Sequence, residues 1–257
     1  MAGSIPAYLQ RTRHKRTKHN MIESDKTALE RTTQHHDERT ERKEMKKDSS
    51  IIAIEPIKVK HAIITIEGDG DLVLNQMNAR NRRALLAEDR KKVREVPNPW
   101  EDVITAIHWR DPLNVTDTYQ ECSEEMLKEL LRNNAPCISA FGLKKSIGQA
   151  VVRNEIDKYA TKVDNAVNIV AARNLVPISF ARWTLEETLM SPKRGAPITV
   201  RLSHFSGWKA SFKMDYTDHV YSLDQLCSFI NLAGFGLGIG SGRTSGYGRY
   251  HITDIQA

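Results

Sequence analysis

The sequence predicts an α+β domain in which the elements follow the order β-α-β-β-α-β. Two patterns predict this class: short segments of β-branched or alternating apolar residues indicate strands, and longer segments with apolar residues every three or four positions indicate helices. The segments occur in this order between residues 51 and 257, and a glycine-rich loop follows the last helix. Seven of the chain's 14 glycines lie between Gly234 and Gly248.

The composition is that of a globular protein, with 40% hydrophobic and 27% charged residues. No apolar run is long enough to span a bilayer, and the first residues lack the apolar core of a secretion signal. We therefore expect a cytoplasmic protein that does not associate with membranes. The three cysteines are far apart and odd in number, which favours buried thiols in a reducing compartment over a disulfide framework.

Residues 1–50 are predicted to form a disordered tail of basic and mixed charge, because they contain too few large apolar side chains to offset the entropy of folding. The tail carries 12 Lys and Arg against 8 Asp and Glu, so residues 51–257 hold only +2 of the net charge of +6. Nucleic-acid binding by this domain would therefore depend on local basic patches. The basic run at residues 11–18 either contacts phosphates or keeps the chain soluble.

The first strand is predicted over residues 57–67, which are rich in isoleucine and valine and end at Gly68. An insertion over about 70–137 follows the strand. It contains a predicted basic helix over 72–95 and a second helix over 123–134, whose first turn is acidic, as the helix dipole prefers.

The first core helix is predicted over residues 143–153, because Leu143, Ile147 and Val151 recur every four positions and form one apolar face. A second insertion is predicted over about 155–196.

Two strands are predicted next, over 198–203 and 208–216, because apolar and polar residues alternate in both. Residues 204–207 are predicted to join them as a hairpin.

The last helix is predicted over residues 222–232, where Ser222 and Gln225 form a capping box. Gly234 is predicted to take the left-handed position just past its end. A final strand over 247–254 completes the order of a ferredoxin-like or RRM-like domain.

The glycine-rich loop is a candidate binding site for phosphates and bases. Its glycines allow a ligand to approach backbone N–H groups closely, arginines and tyrosines are interleaved with them, and no acidic residue lies between Asp224 and Asp254. The loop matches neither a Walker A sequence nor a dinucleotide fingerprint. The alternative is a glycine-rich connection whose arginines are only solvated. The candidate residues are Gly238, Gly240, Gly242, Arg243, Gly246, Tyr247 and Arg249.

A second basic stretch lies in the predicted helix over 72–95. Arg80, Arg82 and Arg83 are its first members, and between residues 80 and 95 seven basic residues face three acidic ones. Such a run is either a solvated helix face or a contact surface for nucleic acid.

Three stretches of the chain carry a resemblance to a known family. They are I-T-I-E-G-D-G-D-L-V-L-N-Q-M-N at 64–78, A-P-C-I-S-A-F-G-L-K-K-S-I-G-Q-A at 135–150, and A-G-F-G-L-G-I-G-S-G-R-T-S-G-Y-G-R-Y at 233–250. With its elements in this order, the chain resembles the RAMP superfamily of RNA-binding proteins from CRISPR systems. It is most similar to backbone-subunit-type members carried by phages.

The resemblance implies one or more RRM-like units, binding of single-stranded nucleic acid, and assembly side by side along the strand. Other members of the superfamily are metal-independent endoribonucleases that use a histidine as general base. The resemblance extends the candidate site from the loop glycines, Arg243 and Arg249 to the helix lysines Lys144 and Lys145. The chain departs from RRM proteins because its strands show no pair of exposed aromatic residues for base stacking.

Metal and cofactor chemistry find no support in the sequence. The histidines and cysteines lack metal-ligand spacing, and no catalytic motif of the known hydrolase types occurs. Metal-independent RNA cleavage would need a general base, a general acid and a cation. His204 or His61, together with Tyr247 and Arg243, could supply them if the fold brings them together.

Three functions stay open at this point. The first is a non-enzymatic protein that binds single-stranded DNA or RNA and multimerises along it as a homo-oligomer or filament. The second is a protein-binding decoy that takes the place of a CRISPR backbone subunit. The third is a metal-independent endoribonuclease. If the protein is phage-encoded, each would operate in the host cytoplasm.

Overall fold

Strands and helices alternate through a computed structural model that describes residues 56–86, 98–113, 122–190 and 198–257. From Ile57 onward these residues belong to one unit, Ile57–Ala257. The tail predicted over 1–50 lies outside the described residues. Of the basic helix predicted over 72–95, residues 79–86 are helical, residues 72–74 form a strand instead, and residues 87–95 lie outside the described ranges. None of the helices in the described ranges has both the length and the apolar character needed to cross a membrane.

Ten strands and six α-helices occur in the described ranges. The strands are β1 (Lys60–Gly68), β2 (Leu72–Leu74), β3 (His108–Trp109), β4 (Pro136–Ser139), β5 (Val167–Val170), β6 (Leu175–Ser179), β7 (Arg182–Met190), β8 (Ile198–Ser206), β9 (Lys209–Tyr216) and β10 (Tyr250–Gln256). The helices are α1 (Ala79–Leu86), α2 (Pro99–Thr105), α3 (Glu124–Asn133), α4 (Ala140–Arg153), α5 (Thr161–Ala166) and α6 (Leu223–Gly236).

The larger sheet is antiparallel and has the order β10-β1-β9-β6-β4-β3, with β5 also paired to β9. Four of its strands, β1, β5, β9 and β10, alternate along the chain with α4 and α6 in the order β-α-β-β-α-β. The two helices contact each other and bury the inner side of the sheet, where Ile64, Ile66 and Met214 are fully buried. The fold class is therefore α+β, as the sequence predicts.

The smaller sheet has the order β2-β8-β7. Here the predicted hairpin over 198–216 is wrong, because β8 and β9 lie in different sheets. All nine residues of β8 pair with β7, and residues 203–205 also pair with β2. Both edges of β8 are therefore occupied over these three residues. The chain leaves β8 at Gly207, which has a φ of +60°, and Trp208 anchors the crossing by donating from Nε1 to the Gly70 carbonyl at 3.0 Å.

The first strand after the first core helix is β5, which pairs with β9 at the register Val167↔Tyr216. It lies inside the segment predicted as the second insertion, whereas the predicted core strand over 198–203 belongs to the smaller sheet. The apolar residues Val167, Ile169 and Val170 favour a strand, but four residues are too few for their pattern to indicate that this strand belongs to the core.

The last helix is longer than predicted. The capping box of Ser222 and Gln225 is present, but α6 continues through Gly234 to Gly236. Gly234 is buried within the helix, where a Cβ atom would lie 1.9 Å from the Tyr250 carbonyl oxygen of β10. The predicted left-handed role of Gly234 is therefore wrong, since the close packing of β10 requires this glycine. Gly238, with a φ of +69°, takes the left-handed conformation instead.

Candidate functional site

Two neighbouring cavities share the side chains of Gln76 and His108 and together form what we call the groove. Cavity 1 has a volume of about 310 Å³ and lies between the first turns of α4, the glycine-rich loop and the residues after β2. Cavity 2 has a volume of about 450 Å³ and lies between α1, the end of α2 and the residues around β3 and β6. Distant parts of the chain therefore meet at one place.

The first turns of α4 form one wall of cavity 1. The Ser139 hydroxyl caps the helix by accepting from the Gly142 backbone N–H at 3.1 Å, and both residues line the cavity. No acidic residue lies in this first turn. The positive end of the helix dipole and the Lys145 side chain therefore face the same space.

The predicted lysines of α4 have different surroundings. Lys145 lines cavity 1, forms an ion pair with Asp164 of α5, and lies 5.5 Å from the ring centroid of Phe141. Lys144 is half-buried and lines neither cavity. Phe141 was missed by the sequence analysis; it is an aromatic side chain exposed at 58% in the first turn of the helix.

The glycine-rich loop forms the opposite wall of cavity 1, to which it contributes Gly240, Ser241 and Arg243. Arg243 is exposed and forms no ion pair with the described residues. It is therefore a cationic side chain of the predicted loop site that is available to a ligand at the groove.

Most of the loop glycines serve internal packing. A Cβ atom on Gly238 would lie 2.7 Å from the Gly248 carbonyl oxygen, and one on Gly240 would lie 2.5 Å from that of Val73. Several loop amides donate to the chain's own carbonyls, for example Ser241 N–H to Val73 at 2.8 Å. Because these N–H groups already donate to carbonyls of the chain, the loop positions Arg243 and does not offer a set of free N–H groups to a ligand.

The other glycines of the predicted site differ in their surroundings. Gly242 packs under the Tyr247 ring, where a Cβ atom would lie 2.7 Å from Cδ2. Gly246 has open space around it and a φ of +90°.

Tyr247 and Arg249 line neither cavity. The Tyr247 ring packs edge-on against His204 with 5.1 Å between the ring centroids. The Arg249 guanidinium donates to the Phe235 carbonyl at the end of α6. Arg249 therefore stabilises the C-terminus of the helix, and the structure does not bring it to the groove.

The arginines of α1 divide between internal pairs and the groove. Arg80 forms a bidentate ion pair with Asp102 of α2. Arg83 forms an ion pair with Glu101 at 2.6 Å and also lines cavity 2. Arg82 is exposed, lines cavity 2 and forms no ion pair with the described residues. Of the three, Arg82 is the one best placed for a ligand.

His108 and Arg173 are groove residues that the sequence analysis missed, since neither belongs to a motif. His108 lines both cavities, and Arg173 lines cavity 2 while donating to the Arg110 carbonyl at 3.0 Å. Burial lowers the pKa of His108 below its ordinary value of 6.5, and the nearby charges of Arg82 and Arg173 lower it further. Only the tertiary structure places these three residues together.

The predicted catalytic set is not assembled at one accessible place. His204 is buried between Asp71 at 3.6 Å and Glu186 at 3.1 Å, with a side chain only 5% exposed. His61 lies on β1, where it pairs with Asp215 at 2.7 Å. His204 does meet Tyr247, but a substrate strand could not reach a base that is so deeply covered. Among the described residues, no three metal-ligating side chains lie close enough to hold an ion.

No protein-family model and no curated protein matches this sequence. Solved structures similar to the chain include one from the cryo-EM structure of the Type III-B Cmr-beta bound to cognate target RNA and the crystal structure of Cmr6 from Pyrococcus furiosus. Both share 10% sequence identity over 77% of this chain. The match spans 60% of the Cmr-beta chain with a TM-score of 0.40, and all of Cmr6 with a TM-score of 0.35.

Because both TM-scores are below 0.5, neither likeness identifies the binding surface or the function of this chain.

Proposed function

We propose that this protein binds single-stranded nucleic acid along the groove and acts on it by binding alone. The observation that carries the proposal is the gathering of cationic groups from four separate elements around His108. They are Lys145 on α4, Arg243 in the glycine-rich loop, Arg82 on α1 and Arg173 before β6. Phosphate groups are the ligands that such a row of guanidinium and ammonium groups attracts.

The charge balance of the groove supports an anionic ligand. Among the described residues, Asp111 is the only acidic side chain that lines either cavity, and it already pairs with Arg110 at 2.8 Å. The positive end of α4 adds to the potential at cavity 1. The near-neutral net charge of the domain is therefore compatible with a strongly positive local patch.

The shape of the site supports a single strand over a duplex. Cavities of about 310 and 450 Å³ accommodate separate nucleotides but not the width of a double helix. The exposed Phe141 beside Lys145 offers a face on which a base can stack. By contrast, the open side of the larger sheet carries polar side chains where bases would have to stack. Ser211 and Lys213 are exposed there, and Thr65 is half-buried.

A salt titration of the binding of labelled oligonucleotides tests the proposal. Replacing Arg243 by Ala should reduce the slope of log K against log salt by about 0.7, the contribution of one phosphate contact on a single strand. Arg249→Ala is the matched control, because its guanidinium contacts a carbonyl of the chain and should leave the slope unchanged. A flat slope for the wild type, or no binding at low salt, contradicts the proposal.

We further propose that several copies assemble side by side along one strand. RNA and DNA both present phosphate groups to the groove residues, so parallel titrations with oligouridine and oligothymidine decide between the two polymers.

Metal-independent cleavage of RNA is a second candidate function, favoured by His108. Its lowered pKa keeps the imidazole neutral near pH 7, where it can accept the proton of a 2′-hydroxyl, and Arg243 and Lys145 can stabilise the charged phosphorane. Incubation of RNA with stoichiometric protein in EDTA tests it, with His108→Ala as the inactive variant. RNA that stays intact in the presence of the wild-type protein contradicts cleavage and leaves the binding proposal untouched.

The interpretation as a protein-binding decoy of a CRISPR backbone subunit stays a prediction. A pull-down from nuclease-treated lysate distinguishes it from nucleic-acid binding, because a protein partner would survive the treatment.

A further inference from the structure

Cavity 1 has an apolar floor that a phosphate-binding site does not need. Its lining includes buried apolar side chains from five elements or loops, namely Leu74, Ala106, Ile138, Leu143 and Ile239. Its volume of about 310 Å³ lies at the lower end of the range for small-molecule pockets. An apolar floor beneath a rim of cationic and amide side chains matches a flat nucleobase whose adjoining phosphate stays at the rim.

Gln76 lies where the two cavities meet, and its amide has one orientation. Its Nε2 donates to the backbone carbonyl oxygens of Thr105 and Ile107, both at 3.2 Å. Because both partners are acceptors, the NH₂ group must face them, and the opposite rotamer would set three oxygens against one another. The Gln76 backbone N–H also donates to Ala106 at 2.8 Å, which holds the residue in place.

The Gln76 Oε1 atom is consequently a preset acceptor. It receives no hydrogen bond from the described residues, and Gln76 lines the cavity while it is itself half-buried. This acceptor faces a cavity that is open to solvent, so a ligand that supplies an N–H group can replace its water with a direct hydrogen bond.

We propose that cavity 1 receives one base of the bound strand and that an N–H group of this base donates to Gln76 Oε1. Every nucleobase carries such a donor on its Watson–Crick edge: the exocyclic amino group of adenine and cytosine, N1–H and the amino group of guanine, and N3–H of uracil and thymine. An abasic site has no donor to offer there. This inference rests on the proposed function, since the phosphate next to the base lies against Arg243 and the first turn of α4.

The test measures wild-type affinity for short oligouridine strands that carry one central adenine, cytosine, guanine, uracil or abasic site. We expect the four strands with a central base to bind about threefold to tenfold more tightly than the abasic strand, the range that one hydrogen bond contributes. Equal affinity for all five strands overturns the inference.

A variant pair tests the role of Gln76 itself. Gln76→Met keeps the length of the side chain but removes the acceptor, so the preference for a central base over the abasic site should become smaller. Gln256→Met is the matched control, because Gln256 is exposed on β10 and bonds to Asp254. A preference of unchanged size in a folded Gln76→Met protein overturns the assignment of the acceptor. If Gln76→Met does not fold, the wild-type series with five strands still decides.

The binding measurements distinguish failure of this inference from failure of the proposed function. Strands that all bind equally, with the salt slope lowered by Arg243→Ala, leave phosphate binding intact and remove only the base preference. Absence of binding to every strand at low salt removes both.

Discussion

Arg243 and Arg249 lie six positions apart in the same loop, but their guanidinium groups have different environments. Arg243 is exposed at the rim of cavity 1, and Arg249 donates to the Phe235 carbonyl that α6 leaves unpaired at its end. The difference follows from the direction in which the loop leaves the helix, which is set by the left-handed Gly238 and Gly240. Proximity in sequence is therefore a poor guide to which arginine meets a ligand.

The glycines of α6 provide a residue-scale prediction on stability. Gly234→Ala should destabilise the protein by about 2 kcal/mol or more, because the new Cβ atom would lie 1.9 Å from the Tyr250 carbonyl oxygen and β10 would have to shift. Gly236→Ala is the control, since no atom lies within 4 Å of its added Cβ and alanine favours the helix by about 0.5–1 kcal/mol. Urea unfolding of both variants measures the difference, and equal stabilities would contradict the packing of β10 on α6.

His108 provides a second residue-scale prediction, on pH dependence. The pKa of His108 is lower in the folded protein than the ordinary value of 6.5, so the unfolded chain binds more protons between the two values. The stability that the neutral imidazole contributes is thus present above pH 6.5 and is lost as the pH falls through the folded pKa. His108→Gln should lose less thermal stability than the wild type between pH 7 and pH 5. His219→Gln, at an exposed position, should follow the wild type.

At the scale of elements, α5 controls the charge that α4 presents to cavity 1. Asp164 of α5 pairs with Lys145, and its side chain is only 16% exposed, so this pair is better shielded from solvent than a surface ion pair. Part of the Lys145 charge is thereby neutralised in the unbound protein. A phosphate that enters cavity 1 must compete with Asp164 for this lysine.

Replacing Asp164 by Asn should therefore strengthen binding of single strands at low salt and make the salt slope steeper by about 0.7, one phosphate contact. Lys162 and Asp157 form a comparable pair outside both cavities, at 2.7 Å, so Asp157→Asn is the control and should leave binding unchanged. Weaker binding by Asp164→Asn, in a variant that melts like the wild type, would show that the pair positions Lys145 for the ligand.

The two sheets show where element patterns succeed and fail. The alternating residues of β1 and β9 and the four-residue repeat of α4 predict these elements, because each buries one face. The same alternation in β8 is equally clear, yet β8 pairs with β7 and β2 in the smaller sheet. Alternation reports that a strand has one buried face, and it contains no information on which strand will be its neighbour.

At the scale of the whole molecule, the groove is open at the surface, and a strand that passes through it can continue to a second copy. We predict that size-exclusion chromatography with long oligouridine or oligothymidine shows species larger than one protein per strand, whereas the protein alone elutes at a single smaller size. Strands too short to reach beyond one groove should give one protein per strand. A single protein on long strands at saturating concentration would contradict assembly along the nucleic acid.

The sequence by itself determined the α+β class, the start and cap of α6, the acidic first turn of α3, the helical face of α4, and a glycine-rich loop that contains Arg243. These features depend on residues close to one another in the chain, where periodicity, capping and backbone preference act. The lysine and arginine candidates were also visible as basic residues, but their ion pairs were not.

Only the tertiary structure decided that Lys145, Arg243, His108, Arg82 and Arg173 share one groove, and that Arg80 and Arg249 are occupied by Asp102 and Phe235. It also fixed the amide of Gln76 against two carbonyls that lie about 30 positions away, at separations of 29 and 31 residues. The physical reason is that a charge or a hydrogen bond is satisfied by whichever group the packing of the sheets and helices brings within reach. That partner is set by strand pairing across the whole domain, which local sequence patterns do not encode.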